Sequence, residues 1–405
     1  MKQKPICFVD FGLEHITLIV CFIEENRVVD IPFIETEEIK LPVQRIQSPL
    51  NQMENFDTFI KLVDKAEKQL KISISSVVFV LKDKSFKHFL MRSEKEFKTI
   101  QKVSNLVMEK LAKQTIANFC EKNIEEYNIL DFVKHNFQLD KAQTFINPYK
   151  IKCKKIEIRA SIFAIRKIFT KLFSEYLEKY KIHIKHYISS TTGLFSIAND
   201  YLLNGNVLLI DIGSCSTEFF VINRGVILFA DTINLGGLDM TRDIADVMKL
   251  YIGDADLLKK RLKNKFGIVD NTSEIEKNNQ IATTIADVRL KEIANCIGKE
   301  VNNKIKKIAF NKVIISGGVS KYKNTKQIFE EQFSAPVENI SKKVVLENRF
   351  FKGKVDEEKI TQSNLSLFGA ISFYLSNQEI YKNARHGFIF SIGSKISCFL
   401  RDLLY

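Results

Sequence analysis

The sequence predicts a mixed α/β fold built in more than one lobe. Three observations carry this. Apolar runs of strand length alternate with longer amphipathic stretches along most of the chain. A strand that ends in Asp-x-Gly and returns as a hairpin occurs at 8–22 and again at 207–228. The 405 residues also exceed what one hydrophobic core usually organises.

The elements follow in order. Residues 6–34 read "ICFVDFG", then "ITLIVCFIEENRVVDIPFIE", and predict a hairpin pair and a third strand. Phe56, Phe59, Ile60, Val63 and Leu70 have helical spacing over 56–71. "SSVVFVL" (75–81) is a short buried strand. From 83 to about 167 the character changes. "RSEKEFKTIQKVSNLVMEKLAKQTIANF" is polar and predicts helix, whereas "NPYKIKCKKIEIRASIFAI" alternates at Ile156, Ile158 and Ala160 and predicts strand. This segment is expected to be a separate small αβ insertion. Residues 166–180 predict an amphipathic helix, "HIKHYISS" a strand and "TTGLFSIAND" a helix. After the hairpin at 207–228, residues 240–310 are helical and charged. "NKVIISGGVS" (311–320) predicts a buried strand ending in two glycines, and "LSLFGAISFYL" (365–375) an apolar helix.

Composition narrows the function classes. The chain is 45% hydrophobic and 27% charged, which suits a globular protein. No apolar run reaches the ~18 residues a spanning helix needs. Asp10 and Glu14 interrupt any signal-peptide core, so a cytoplasmic location is expected. The seven cysteines are scattered, without a C-x-x-C, and read as free thiols. The net charge of +13 does not predict nucleic-acid binding. Abundant Lys, Ile, Asn and Phe with no Trp suggest a coding bias that raises lysine everywhere. The clusters "KKRLKNK" (259–265) and "KCKK" (152–155) lack interleaved aromatics. Attraction to an anionic membrane surface stays open. The six histidines form no H-x-x-x-H pattern, and His183 and His186 are expected to be solvent-facing or packed. Neither a nucleophile elbow nor a P-loop lysine motif is present.

The two Asp-x-Gly turns carry the chemistry. Glycine and small hydroxyl residues let backbone N–H groups approach a phosphate closely. In the second turn, Gly213-Ser214-Cys215-Ser216-Thr217 follows Asp211. Asp10 and Asp211 cannot bind phosphate themselves; each would orient a hydrated divalent cation that neutralises it. One such turn alone is an ordinary hairpin, but two facing turns would clamp a triphosphate. The strand into Gly317-Gly318 would let a base or ribose lie against bare backbone.

Asp10-x-Gly12, Asp211-x-Gly213 with "STE", and Ser316-Gly317-Gly318 resemble the phosphate 1, phosphate 2 and adenosine motifs of the actin, sugar-kinase and heat-shock-chaperone ATPases. Within that superfamily the chain resembles the bacterial cell-division protein family FtsA. "INPYKIKCKKIEIRASIFAI", "LGGLDMTRDIA" (235–245), "GDADLLKKRLKNKFG" and "VRLKEIANCIGKEV" (288–301) resemble its corresponding segments. The resemblance covers nearly the whole chain as weak, ordered motifs. It implies an actin-like two-lobed ATPase fold, each lobe a mixed five-stranded sheet, with an FtsA-type inserted subdomain (1C). The implied divisions are lobe 1 over 1–82, 168–206 and 361–384, with the insertion at 83–167. Lobe 2 would span 207–245 and 311–360, a nucleotide-capping subdomain 246–310, and a terminal helix 385–405. The resemblance also implies ATP and Mg2+ as cofactors, with Asp10, Gly12, Asp211, Gly213, Ser214, Ser216, Thr217, Gly236, Gly237, Lys263, Gly317 and Gly318 at the nucleotide. Asp10 and Asp211 would reach the metal through water.

The chain departs from the family pattern at three places. Leu13-Glu14-His15 stands where the family has Ser or Thr and a polar residue, which puts Glu14 near phosphate. Ser214 and Cys215 replace glycines. Around Gly193, where hydrolysing relatives carry a water-orienting Gln or Glu, nothing acidic or amide occurs before Asn199. The expectation is ATP binding with at most weak hydrolysis and no assigned general base.

The stretch "HGFIFSIGSKISCFLRDLLY" (386–405) places Phe388, Ile389, Ile392, Ile396, Phe399, Leu400, Leu403 and Leu404 on one helical face, with Lys395 and Arg401 elsewhere. Its polar residues argue against spanning. Its pattern fits a helix lying in a membrane interface, each nearby cation adding roughly 1 kcal/mol at an anionic surface. The implied function is a polymerising membrane tether on the cytoplasmic face of the inner membrane at the division site. Its partners would be the FtsZ C-terminal peptide, docked on 246–310, other copies of itself and later division proteins. A PilM-like pilus scaffold and a sugar or small-molecule kinase of the same superfamily are the alternatives.

Overall fold

A computed structural model of the chain describes residues 5–12, 14–39, 53–82, 86–140, 143–202, 204–263, 273–351 and 355–376. In chain order the first elements are β1 (Ile6–Phe11), β2 (His15–Glu24), β3 (Arg27–Glu38), α1 (Met53–Leu70), β4 (Ser76–Leu81), β5 (Phe86–Lys102), α2 (Asn105–Asn123), β6 (Tyr127–Leu139), β7 (Gln143–Phe145) and β8 (Lys152–Arg166). There follow α3 (Lys167–Glu178), β9 (His183–Ser189), α4 (Ser190–Ile197), α5 (Asn199–Leu202), β10 (Asn206–Ile212), β11 (Thr217–Asn223), β12 (Val226–Ile233), α6 (Gly237–Met248), α7 (Ile252–Lys263) and α8 (Ser273–Lys304). The last are β13 (Lys312–Ser316), α9 (Thr325–Phe333), β14 (Val337–Asn339), α10 (Lys343–Leu346) and α11 (Leu365–Ser376).

Two five-stranded sheets share one topology. The first runs β3-β2-β1-β4-β9 and the second β12-β11-β10-β13-β14. In each, the central strand pairs antiparallel with its hairpin partner and parallel with the strand on its other side. The repeated Asp-x-Gly hairpin is therefore the visible trace of a repeated sheet.

Side-chain alternation decides which way each sheet faces. In β1, Cys7, Val9 and Phe11 pack toward α1 and α3 in an aromatic cluster with Phe56, Phe59, Phe79 and Phe173. In β10, Leu208, Ile210 and Ile212 pack beneath α8 and α9. Phe8 of β1 and Leu209 of β10 belong instead to the shared core between the sheets, which α4 and α11 complete. Asp10 and Asp211 follow Phe8 and Leu209 by two residues, so both carboxylates emerge on the faces turned toward that shared space. Gly193 of α4 and Gly369 of α11 let the two helices touch. A Cβ at Gly193 would stand 2.3 Å from the Ser366 carbonyl oxygen, and one at Gly369 2.1 Å from that of Gly193.

Residues 86–166 build a third, antiparallel sheet, β5-β8-β6-β7, covered by α2. It meets both neighbours. His186 of β9 bonds buried Asp131 of β6 at 3.0 Å, and Phe163 of β8 stacks on Phe220 of β11 at 5.4 Å. The helix expected over 92–119 is a helix only from Asn105. Residues 92–102 belong to β5, paired with β8 from Phe86↔Ile165 onward. Most of that part of the strand faces solvent, so its hydropathy shows no two-residue period, and pairing with β8 overrides local preference. His186 proves packed, and His183 exposed.

Candidate functional site

The site begins where β1 and β10 end. Both run into turns that open on one cleft of about 870 Å3, including its part open to solvent. Asp10 and Gly12 line it from the first lobe, Asp211, Gly213, Ser214 and Ser216 from the second, with Gly237, Gly317 and Gly318 nearby. The glycines are required by close approach. Gly317 has φ +89°, and a Cβ there would lie 2.3 Å from the Ile212 carbonyl oxygen. A Cβ at Gly236 would lie 2.5 Å from the Ser214 carbonyl oxygen. That contact lets the Gly237 and Leu238 amides donate to the Gly213 and Ser214 carbonyls at 2.9 and 2.7 Å. Thr217 is buried behind the turn, where its hydroxyl donates to the Leu235 carbonyl at 2.8 Å. Thr217 and Gly236 therefore shape the turn rather than line the cleft.

Lys263 ends α7, and its side chain lies outside the described ones. Lys259, one turn earlier on that helix, lines the cleft, and sequence reading missed it. Its ammonium is fully engaged. It donates to the Gly237 carbonyl at 3.1 Å and Thr241 Oγ1 at 2.5 Å, and pairs with Asp256 at 2.9 Å. Glu14 Oε1 approaches it across the cleft at 3.6 Å. Glu14 thus does line the cleft, as its place after Gly12 suggested, with a cation beside it. Lys260 and Glu38, 3.2 Å apart, repeat the connection between α7 and the first lobe at the surface.

The most consequential residue missing from the sequence reading is Lys82. Asp10 and Val80 are register partners, so two residues beyond Val80 the side chain re-emerges on the cleft face. Lys82 Nζ lies 2.5 Å from Asp211 Oδ2 and 3.4 Å from the Asp211 carbonyl oxygen. Ser190 Oγ donates to the same Oδ2 at 2.8 Å. The signal was present as a basic residue directly after a buried strand, but "LKDK" resembles any lysine-rich turn of this chain. Behind Asp211, the buried Glu218 accepts from the Thr191 amide at 3.1 Å and from the Thr191 hydroxyl.

The electrostatics follow from burial. Burial pushes the Asp10 carboxyl up to about 6; His15 and Lys82 oppose the rise and Asp211 adds to it. Burial likewise raises Glu218 to about 7, against Lys82 and the Thr191 hydrogen bonds. Cys215, in the second turn, is held as a thiol by burial, at about 11. Among the described residues no group of three or more His, Cys, Asp or Glu side chains is set to hold a metal ion directly. The arrangement can cradle phosphates against small residues and glycines, with cations held on both rims.

The eight residues of the expected membrane face, Phe388, Ile389, Ile392, Ile396, Phe399, Leu400, Leu403 and Leu404, together with Lys395 and Arg401, lie outside the described residues. Among the described residues no helix is long and apolar enough to cross a membrane.

Comparison with known proteins places this geometry. The family model described as cell division protein FtsA matches residues 208–363, the stretch that carries the second turn, α6 to α8 and Gly317-Gly318. The cell division protein FtsA of Buchnera aphidicola subsp. Baizongia pistaciae is 21% identical over 368 residues, covering 83% of this chain and 84% of that protein. Among solved structures, a chain of the PilM-PilN type IV pilus biogenesis complex superposes with a TM-score of 0.61 at 12% identity, over 93% of this chain and 99% of that one. The ethanolamine utilization protein EutJ from Carboxydothermus hydrogenoformans gives 0.50 at 11% identity, over 92% and 91%. The fold is that of the actin-like ATPases. The sequence matches support a division-related actin-like protein.

Proposed function

We propose that this chain binds ATP in the cleft between its two five-stranded lobes and tethers a division ring to the cytoplasmic face of the membrane. The observation that carries the reading is the convergence of the Asp10 turn, the Asp211 turn and Gly317-Gly318 on one cleft, the last two lying within residues 208–363 where the FtsA model matches. In this reading Gly12, Gly213, Ser214 and Ser216 cradle the phosphates, Gly237 and Gly317-Gly318 adjoin the rest of the nucleotide, and Asp10 and Asp211 balance the cation. Mg2+ accompanies ATP as its counter-ion in solution. Bound nucleotide holds the lobes in the form that self-associates, and the amphipathic stretch 386–405 attaches each copy to anionic lipid. One such helix binds reversibly, and polymerisation strengthens it through avidity. The FtsZ C-terminal peptide would dock on 246–310, and later division proteins would be recruited to the assembled filament. Hydrolysis is weak in this scheme, because no residue in the cleft is assigned as a water-activating base.

The test of the nucleotide step is ATP binding by calorimetry with Gly317→Val. Its side chain would enter the space of the Ile212 carbonyl, so binding by the wild type and loss of binding in a folded variant supports the reading. Equal affinity in both rejects it. A chain that binds ATP but never binds lipid turns the reading toward the pilus-type scaffold.

A further inference from the structure

The carboxylate assigned to the cation already carries one. Asp211 is buried, 3% exposed, and its Oδ2 is shared by the Lys82 ammonium at 2.5 Å and the Ser190 hydroxyl at 2.8 Å. With two donors on Oδ2, that oxygen of the buried carboxylate has no lone pair left for the waters of a hydrated divalent ion, and its charge is already balanced by the ammonium. The Lys82 side chain also crosses the phosphate turn: its Nζ lies 3.1 Å from where a Cβ on Gly213 would stand. The ammonium therefore sits beside the turn expected to hold the phosphates and is held there by Asp211. It has three N–H donors, and Asp211 does not use them all. Lys259 cannot share the task, because Gly237, Thr241 and Asp256 already take its donors.

We propose that Lys82 is a built-in cation of the nucleotide site, so that this cleft binds nucleoside triphosphate without requiring a divalent metal ion. The inference rests on the ATP-binding reading above. Lys82 neutralises Asp211 and offers its remaining donors to a phosphate oxygen, doing electrostatically what a hydrated Mg2+ would do there. A lysine is a point charge of one unit and does not polarise a bound water as a metal does, so it supports binding without activating a water for hydrolysis.

The experiment is calorimetric titration of the full-length wild-type protein with ATP, once in excess Mg2+ and once in EDTA, repeated with Lys82→Gln. The expected result is a wild-type affinity that changes less than about tenfold between the two conditions. Lys82→Gln should lose about tenfold or more in EDTA, the loss of one charge-assisted contact, and recover with Mg2+. A wild-type affinity that collapses in EDTA overturns the inference while leaving ATP binding intact. No binding in either condition overturns both. The wild-type comparison needs no variant, so misfolding of Lys82→Gln does not protect the proposal.

Discussion

Replacing Glu218 by Gln should change the pH dependence of stability in a defined direction. Glu218 sits under the Asp211 turn, buried to 3% exposure, and accepts two hydrogen bonds from Thr191. Gln keeps an oxygen that accepts both and removes the charge. The folded carboxyl titrates at about 7, against 4.5 unfolded. Between these values the folded state binds the extra proton, so wild-type stability declines as pH rises through that window. At 1.36 kcal/mol per pH unit, the shift amounts to about 3 kcal/mol. Near pH 4 both carboxyls are protonated, and the variant should differ from wild type by about 1 kcal/mol or less, the worth of the altered hydrogen bonds. Near pH 8 the variant should be the more stable by about 3 kcal/mol. Urea unfolding at a series of pH values, followed by a reporter in the cleft, measures the difference. A stability difference that does not change between pH 4 and 8, or that moves in favour of wild type as pH rises, refutes the reasoning.

Other outcomes follow from single contacts. Gly193→Ala should destabilise by about 1–3 kcal/mol, because a methyl there meets the backbone of Ser366 and Ala370 and must push α4 from α11; equilibrium unfolding reads it. Ser161→Ala should cost about 1–3 kcal/mol, since Ser161 Oγ is the shared partner of His88 Nε2 at 2.6 Å and His135 Nε2 at 2.7 Å. Burial lowers those two imidazoles to about 3 and about 4 from 6.5, so the unfolded chain binds more protons in acid. Stability should fall as pH drops below 6.5, and His135→Gln should flatten the loss by about 1.4 kcal/mol per pH unit. Thr217→Val should cost about 1 kcal/mol by removing the bond to the Leu235 carbonyl, and should loosen ATP binding only indirectly.

The architecture was legible where hydrophobic period and small-residue turns coincide. Phe8 and Asp10, like Leu209 and Asp211, share a face by simple alternation, so the two carboxylates could be paired before any coordinates. The glycines at 12, 213 and 317 declared themselves because close backbone approach admits little else. The lysines did not. Lys82 and Lys259 reach the cleft only through register and helix packing, and 61 basic residues offer no local contrast to mark two of them. Lys263 stands one turn further along the same helix as Lys259, and its side chain lies outside the described ones. Strand β5 was hidden for a related reason: its solvent face is polar, and only its pairing with β8 makes it a strand. Glu218 is visible in the sequence as the acid of "STE", but its hold on Thr191 depends on a helix start brought from the other lobe.

The tether claim is tested most directly by co-sedimentation with anionic liposomes. Full-length protein is compared with a chain truncated after Asn383, each with and without Mg-ATP. The account predicts that only the full-length chain pellets with lipid, and that ATP increases the pelleted fraction by promoting assembly. Equal pelleting of the two chains, or both remaining in the supernatant, would contradict it.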